Sequence, residues 1–437
     1  MTDKQLSERE IKALQIAAKS KLTQKGNVWL VPSQAGHGEY EVRPDPQAPR
    51  CTCPDYEFRN ARCKHIVAVE YVMMRETKPD GSTVVTETVT VTSRKTYPQD
   101  WKAYNYAQTH EKSELQALLY ELCRNVPEPE KRKGRGRPQL PLSDMIFSST
   151  YKIYSTVSGR RFATDLREAK QRGYLSHLPH YNSVFNYLES EALTPYLYEM
   201  ISLSAQPLTS IEEDFAVDSS GFSTGQFMRW LDVKYGTKED RRQWLKLHLT
   251  CGVKTNIVTA VQVTDGYAHD YPQFKGLIDR TANAGFKMKE VSADKGYLGA
   301  SNMLAVLQRG AIPYIPFKSN SVPDSRGSYG PKSELWTRMY HFYALNRAEF
   351  LQHYHKRSNV ETTFHMIKSK FGQRLRSRTL TAQINEALCK VLCHNLCVVI
   401  QSVHELGIDT DFSDLSEQAH DIAPKSLNPR DARQSEN

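Results

Sequence analysis

Two alternating stretches, NVWLVPS and GEYEVRP, flank an AGHG turn near the start of the chain, and their period of two predicts a β-hairpin. Just downstream, HIVAVEYVMM sets His65, Val69 and Val72 at helical spacing. The next stretch, KPDGSTVVTETVTVTSRK at 78–95, is Thr/Val-rich behind an Asp-Gly turn, and both a closing hairpin and an extended linker fit it. Residues 111–125 (EKSELQALLYELCRN) read as an amphipathic helix, and from Ser143 to Met200 the spacing stays helical with breaks at Gly159, Gly173 and Pro179. From residue 211 the pattern turns to strands. DFAVDSS, WLKLHLTCGV and NIVTAVQVTDG follow one another, then DYPQFKGLIDRTANAG is a helix ended by Gly285. KEVSADKGYLG is a strand, NMLAVLQRG a helix, IPYIPF a short strand, and a long final helix begins near His353.

A chain of 437 residues is long enough for two or three domains. A formal net charge of +9 favours an anionic partner. No run of eighteen apolar residues occurs and the N-terminal MTDKQLSEREIKAL is charged, so neither a membrane span nor a signal peptide is expected, and the reading is a cytoplasmic protein. Cys389, Cys393 and Cys397 repeat every four residues beside Leu388, Leu392 and Leu396, which predicts a buried helix stripe of reduced thiols. Cys123 and Cys251 read as further reduced core thiols. The tail from Glu405 carries eight acids against three bases and reads as disordered or as a protein contact.

The remaining cysteines concentrate chemistry. Cys51, Cys53, Cys63 and His65 form CxC, nine residues, then CxH, two close pairs that can supply four ligands to a tetrahedral zinc. The hairpin before them, the helix after them and the wording CTCPDY and CKHI resemble the SWIM-type zinc finger. With all four ligands from the protein, that zinc would be structural. Further on, KRKGRGR at 131–137 is basic, and Arg135 and Arg137 in RGRP resemble the core of an AT-hook, though a solvated linker has the same composition. LSHLPHYNSVFNYLES resembles the turn and recognition helix of a small DNA-binding unit, and a helical spacer reads equally well.

The element order after residue 211 is that of an RNase H-like α/β fold. In it Asp218 falls at the end of the first strand and Asp294 just after the fourth. Asp214, Asp265 and Asp270 read as turn or cap residues. On the last helix Tyr354, Arg357, Glu361 and Lys368 share one face, while Val360, Phe364, Ile367 and Phe371 make an apolar stripe. From Lys356 to Arg378 seven basic residues accompany a single acid, Glu361. Trp336, between the last strand and that helix, reads as a core residue or as a stacking platform for a flipped base.

The spacing of Tyr354, Arg357, Glu361 and Lys368, with FAVDSSGF and SADKGY, resembles the YREK signature of DDE-class insertion-sequence transposases over roughly residues 211–400. The resemblance implies that Asp218, Asp294 and Glu361 bind two catalytic Mg²⁺ ions, with Mn²⁺ as a substitute, and that Tyr354, Arg357 and Lys368 hold DNA phosphates. It also implies cleavage at element-end inverted repeats, strand transfer into target DNA, no nucleotide cofactor, a homodimer or larger assembly on paired DNA ends, and a prokaryotic, nucleoid-associated setting. Two other readings keep the same residues: a transposase-derived DNA-binding regulator, and a hydrolytic nuclease that never joins. The expected organisation is a zinc module at 1–90, a linker with helical DNA-binding region at 91–205, the catalytic domain at 206–404 and an acidic tail at 405–437.

Overall fold

The computed structural model describes residues 8–34, 38–45, 47–76, 100–124, 126–127, 140–224, 244–323, 334–410 and 412. They fall into two units, Met1–Pro98 and Gln99–Asn437. The stretch 78–95, the basic run with Arg135 and Arg137, and the tail after 412 lie outside the described residues.

In the first unit, helix α1 (Glu8–Lys19) precedes four antiparallel strands in sequential order: β1 (Thr23–Lys25), β2 (Val28–Pro32), β3 (Glu39–Arg43) and β4 (Arg50–Cys51). The expected hairpin is β2 and β3, in register Trp29 to Val42 and Val31 to Tyr40. Alternation puts Trp29, Val31 and Val42 inside, against Ala13 and Ile16 of α1 and Ile66 and Val69 of α3 (Lys64–Glu76). The short helix α2 (Pro54–Arg59) lies between the two cysteine pairs and ends at Asn60, whose φ of 47° gives the left-handed stop.

The second unit is built on a five-stranded mixed sheet in the order β7-β6-β5-β8-β9. These strands are β5 (Asp214–Ser223), β6 (Trp244–Gly252), β7 (Val258–Asp265), β8 (Glu290–Ala293) and β9 (Ile312–Tyr314). β5 runs antiparallel to β6 and parallel to β8, so the sheet changes sense at β5. Helices α4 (Trp101–Arg124), α5 (Leu142–Ser155), α6 (Gly159–Gln171), α7 (Tyr181–Leu188) and α8 (Leu193–Ala205) come before the sheet in the chain. Their apolar residues share one core with those of the strands. Between and after the strands come α9 (Phe274–Asn283), α10 (Ala300–Gln308), α11 (Glu334–Leu345), α12 (Arg347–Tyr354), α13 (Ser358–Phe371) and α14 (Leu380–Leu406).

Helix α14 is the spine of this unit. Leu388, Cys389, Leu392, Cys393 and Leu396 are fully buried in it, and Cys397 is partly so, as the stripe predicts. It is long and apolar enough to cross a membrane by length and composition, a feature that a search for unbroken apolar runs passes over, yet 78% of its most apolar window is buried inside the protein. Its polar groups are satisfied by protein partners. Asn395 accepts from Val258 N at 2.9 Å and donates to Val258 O at 2.7 Å and Ile201 O at 3.2 Å, tying α14 to β7 and α8.

Three expectations change. Helix α4 begins at Trp101, ten residues before the predicted start, because Asp100 accepts from the amides of Lys102 and Ala103 and caps it. Asp218 lies inside β5 rather than at its end, because β6 keeps pairing as far as Ser223. The final helix is not continuous from His353: α12 ends at Tyr354, a 3₁₀ turn covers His355–Arg357, and α13 begins at Ser358. Trp336 is buried, its indole N–H donating to Val322 O at 3.0 Å and its ring edge-on to Phe317 at 4.8 Å, which is the core placement.

Candidate acid site and zinc centre

Pairing between β5 and β8 ends at Val217 opposite Ala293, so the next residues, Asp218 and Asp294, emerge at neighbouring points where the parallel pair stops. Directly paired residues in parallel strands face the same way, about 4.8 Å apart. The position is also a switch point, since β6 and β8 leave β5 in opposite senses, and ligands of open α/β sheets gather outside such carboxyl ends. Four residues earlier on the same face, Asp214 pairs with Glu290, giving two rows of two acids.

Consecutive residues of the 3₁₀ turn meet the two rows, Lys356 both acids of the first and Arg357 Asp218 of the second. Lys356 donates to Asp214 at 2.7 Å and to Glu290 at 2.6 Å, helped by His353 at 2.9 Å from Glu290. Arg357 donates one guanidinium nitrogen to Asp218 at 2.6 Å and the other to Glu361 at 2.5 Å. Glu361 stands in the first turn of α13 with its side chain 59% exposed, whereas Asp218 is largely buried. Burial raises the Asp218 carboxyl above the usual range, and the charges of Asp294 and Glu361 push the same way. The Ser219 amide and Arg357 oppose them. This is an anionic site that holds one cation already and whose most buried acid is under-compensated.

Lys368 and Tyr354 flank it. Lys368 donates to Ser220 Oγ at 2.7 Å and lies over the Phe222 ring at 5.1 Å; burial lowers its pKa. Tyr354 lies under the Arg357 guanidinium at 5.9 Å, and burial raises its phenol. Asp294 precedes a 3₁₀ turn at Lys295–Tyr297, its carbonyl accepting from the Tyr297 amide at 2.9 Å and its carboxylate making no cap hydrogen bond. The four signature residues thus come together with Asp218 and Asp294, although not on one helical face: Tyr354 ends α12, Arg357 lies in the 3₁₀ turn, and Glu361 and Lys368 are on α13.

The opposite face of β5 carries a second polar group that the sequence reading assigned to turns. Asp270 accepts from Ser219 Oγ at 2.8 Å and from Lys246 at 2.7 Å, and lies 3.3 Å from His248 Nδ1. His248 is fully buried, lies 3.3 Å from the Tyr297 hydroxyl, and burial pushes it down to about 4. This cluster backs both Ser219, next to Asp218, and Tyr297, three residues past Asp294. A signal was present: β alternation sends Ser219 away from Asp218, directly opposite His248. Asp265, by contrast, does cap its own turn, accepting from the Tyr267 amide at 2.8 Å.

In the first unit, Cys51, Cys53, Cys63 and His65 are all buried, with their ligand atoms within 4.8 Å of one another. No other group of three or more such side chains converges this tightly among the described residues. His65 Nδ1 is 3.9 Å from both Cys51 Sγ and Cys63 Sγ, the spacing of neighbouring ligands around a tetrahedral zinc, while its Nε2 is buried with no partner. Backbone amides support the sulfurs: Cys53 N donates to Cys51 Sγ and Tyr56 N to Cys53 Sγ, both at 3.4 Å. A hydrogen bond between the two thiols pushes Cys51 up and Cys63 down. The donor set fits zinc.

Residues 209–396 match the family model for the transposase DDE domain, and residues 40–73 match the SWIM zinc finger. The chain carries a transposase DDE domain. Its matched span includes Asp218, Asp294 and Glu361, and the SWIM span includes all four zinc ligands. A solved structure, the cryo-EM structure of piggyBac transposase synaptic complex with hairpin DNA, aligns over 73% of this chain and 84% of its own, at 11% identity and a TM-score of 0.34.

Proposed function

We propose that this chain is a DNA transposase that binds the inverted repeats at the ends of its element, cleaves there with Mg²⁺ and transfers the freed strand to target DNA. The observation that carries the reading is the Arg357 guanidinium held between Asp218 and Glu361 at the switch point of the sheet, with Asp294 emerging beside Asp218 where the β5–β8 pairing ends. The strand order, with three antiparallel strands followed by two parallel ones, supports an RNase H-like core for the DDE domain. The three carboxylates are the residues that would hold two Mg²⁺ ions, and hard oxygen donors suit that ion. When bound, such a pair activates an oxygen nucleophile and stabilises the leaving oxygen of a phosphodiester.

The protein's own groups do the remainder. Arg357 and Lys368 present positive charge beside the acids for backbone phosphates, and the Tyr354 hydroxyl offers a further donor. The Asp270 cluster holds the strand behind Asp218 in place. Double-stranded DNA is the partner, with two or more copies of the chain on paired ends, and zinc is structural in the SWIM module. The wider division proposed is a zinc module at 1–90, a helical DNA-contact region with its basic run at 91–205, the catalytic domain at 206–404 and the polar tail at 405–437.

Glu361→Gln keeps shape and removes charge. It is expected to bind end DNA as the wild type does and to lose Mg²⁺-dependent nicking of a labelled end substrate by at least about 100-fold. Nicking at the wild-type rate would sink the assignment. Recovery of joined product from wild type separates a transposase from a nuclease, and binding without either product would leave a regulator.

A further inference from the structure

A cavity of about 590 Å³ opens between the start of α6, α7 and the segment that follows α13. Its size suits a small-molecule site. Among its lining residues are Lys152, Ser158, Gly159, Phe185, Arg376 and Arg378. Lys152 is 7% exposed, yet among the described residues no carboxylate lies within 4.0 Å of its ammonium. Burial and the neighbouring Arg376 lower its pKa, against the charges of Glu386 and Asp165, which raise it. The lining holds two acids, half-buried Glu189 and buried Glu386, and Glu386 is already committed: it accepts from the amides of Arg376 and Ser377 at 2.8 Å each and pairs with Lys390 at 3.4 Å. A buried ammonium without an anion is costly, and the wall beside it adds more positive character. Ser158 is the N-cap of the thirteen-residue α6 but makes no side-chain cap hydrogen bond, so the first-turn amides keep their donor capacity.

The other half of the lining is apolar. Phe185 remains 40% exposed, and its ring lies so close to Gly159 that a Cβ there would be 2.6 Å from it. The glycine is what lets an aromatic face lie at the mouth of a cationic cavity. We propose that this cavity binds one nucleoside monophosphate unit, its phosphate seated among Lys152, Arg376 and the start of α6 and its base against Phe185. Stacking on an aromatic beside a phosphate clamp is how single-stranded nucleic acid is held without regard to sequence.

The unit could come from a DNA strand or from a free nucleotide, and position favours the strand. Phe371, which also lines the cavity, is ten residues beyond Glu361 on the same helix. At 1.5 Å per residue that is about 15 Å, roughly four to five nucleotide steps. This preference for a strand rests on the proposed acid site; occupancy of the cavity does not.

The test is the melting temperature of the full chain with inorganic phosphate, thymidine 5′-monophosphate or a six-nucleotide thymidylate strand. Wild type should be stabilised more by the nucleotide than by equal phosphate. Lys152→Met, which keeps the packing against Phe162, should weaken both effects about tenfold in concentration. Phe185→Ala should keep the phosphate effect and lose the nucleotide's excess. A strand acting at lower concentration than the mononucleotide identifies DNA as the source, and the reverse identifies a free nucleotide. None of these readouts uses strand cleavage, so failure of the acid-site reading leaves the nucleotide result standing. Equal shifts in wild type and Lys152→Met overturn the proposal. Should Lys152→Met not fold, the phosphorus NMR linewidth of the nucleotide with wild type reads the same occupancy, and absence of broadening overturns it.

Discussion

Arg357 shows how one side chain sets the character of a site. It spans Asp218 and Glu361 with separate nitrogens, so it compensates two carboxylates at once while competing with any other cation for them. Arg357→Met should therefore lower stability in a chelator by about 1–3 kcal/mol, because Asp218 is left buried and charged. Added Mg²⁺ should restore more stability to the variant than to wild type. Thermal melts with and without metal check this, and an equal metal effect in both proteins would count against it. At this scale the sequence was legible wherever a residue acts through a fixed chain offset. Cys51, Cys53, Cys63 and His65 were readable in that way, whereas the fixed offsets of Tyr354, Arg357, Glu361 and Lys368 implied a single helical face that the 3₁₀ turn breaks. Asp270 was not readable, because its partners Ser219, Lys246 and His248 reach it only once β5 and β6 are paired.

Among the elements, hydrophobic period located the β2–β3 hairpin, the five strands of the second unit and most of its helices, since burial of one face is what makes each of them stable, but it passed over α1, α2, α11, β1 and β4. Two of its boundary errors share a cause. Helix α4 starts early on an Asp100 cap, and α12 passes through a 3₁₀ turn because Lys356 and Arg357 each have a row of acids to meet. Both are polar interactions that leave no trace in an apolar pattern. The same holds for α14, whose composition suits a bilayer but whose buried amides show a protein environment. Asn395→Leu should cost about 2–4 kcal/mol, since it leaves the Val258 amide and carbonyl without their α14 partner. Urea unfolding measures it, and a loss under about 0.5 kcal/mol would show that the amide is not needed there.

For the molecule as a whole, the two units have separate cores, so they should unfold separately. Cys63→Ser should lower bound zinc and abolish the transition of the first unit while leaving that of the second within a few degrees. Metal analysis with calorimetry checks both halves. Acid acts on the second unit through its buried histidines. His248 and His394 are buried and held down to about 4, so near neutrality both are uncharged in the folded and unfolded chain alike. Below an unfolded pKa of about 6.5 the unfolded chain takes up their protons first, so stability falls as pH drops from about 6.5 toward about 4. Glu199, Glu212 and Asp218, raised by burial, work in the opposite sense. His394→Asn should flatten the loss across that window in denaturant melts, and an unchanged slope would rule the histidine out as its source.

The order of parts along the chain has a consequence for reading genomes. Asp218, Asp294, Glu361 and Lys368 all precede α14, yet the helix that closes their core begins only at Leu380. A reading frame interrupted just after residue 379 would keep every recognisable residue of the acid site and specify a product unable to fold around it. Degenerate copies of the gene would then keep the motif after losing the fold, and an intact α14 is the better mark of a functional gene.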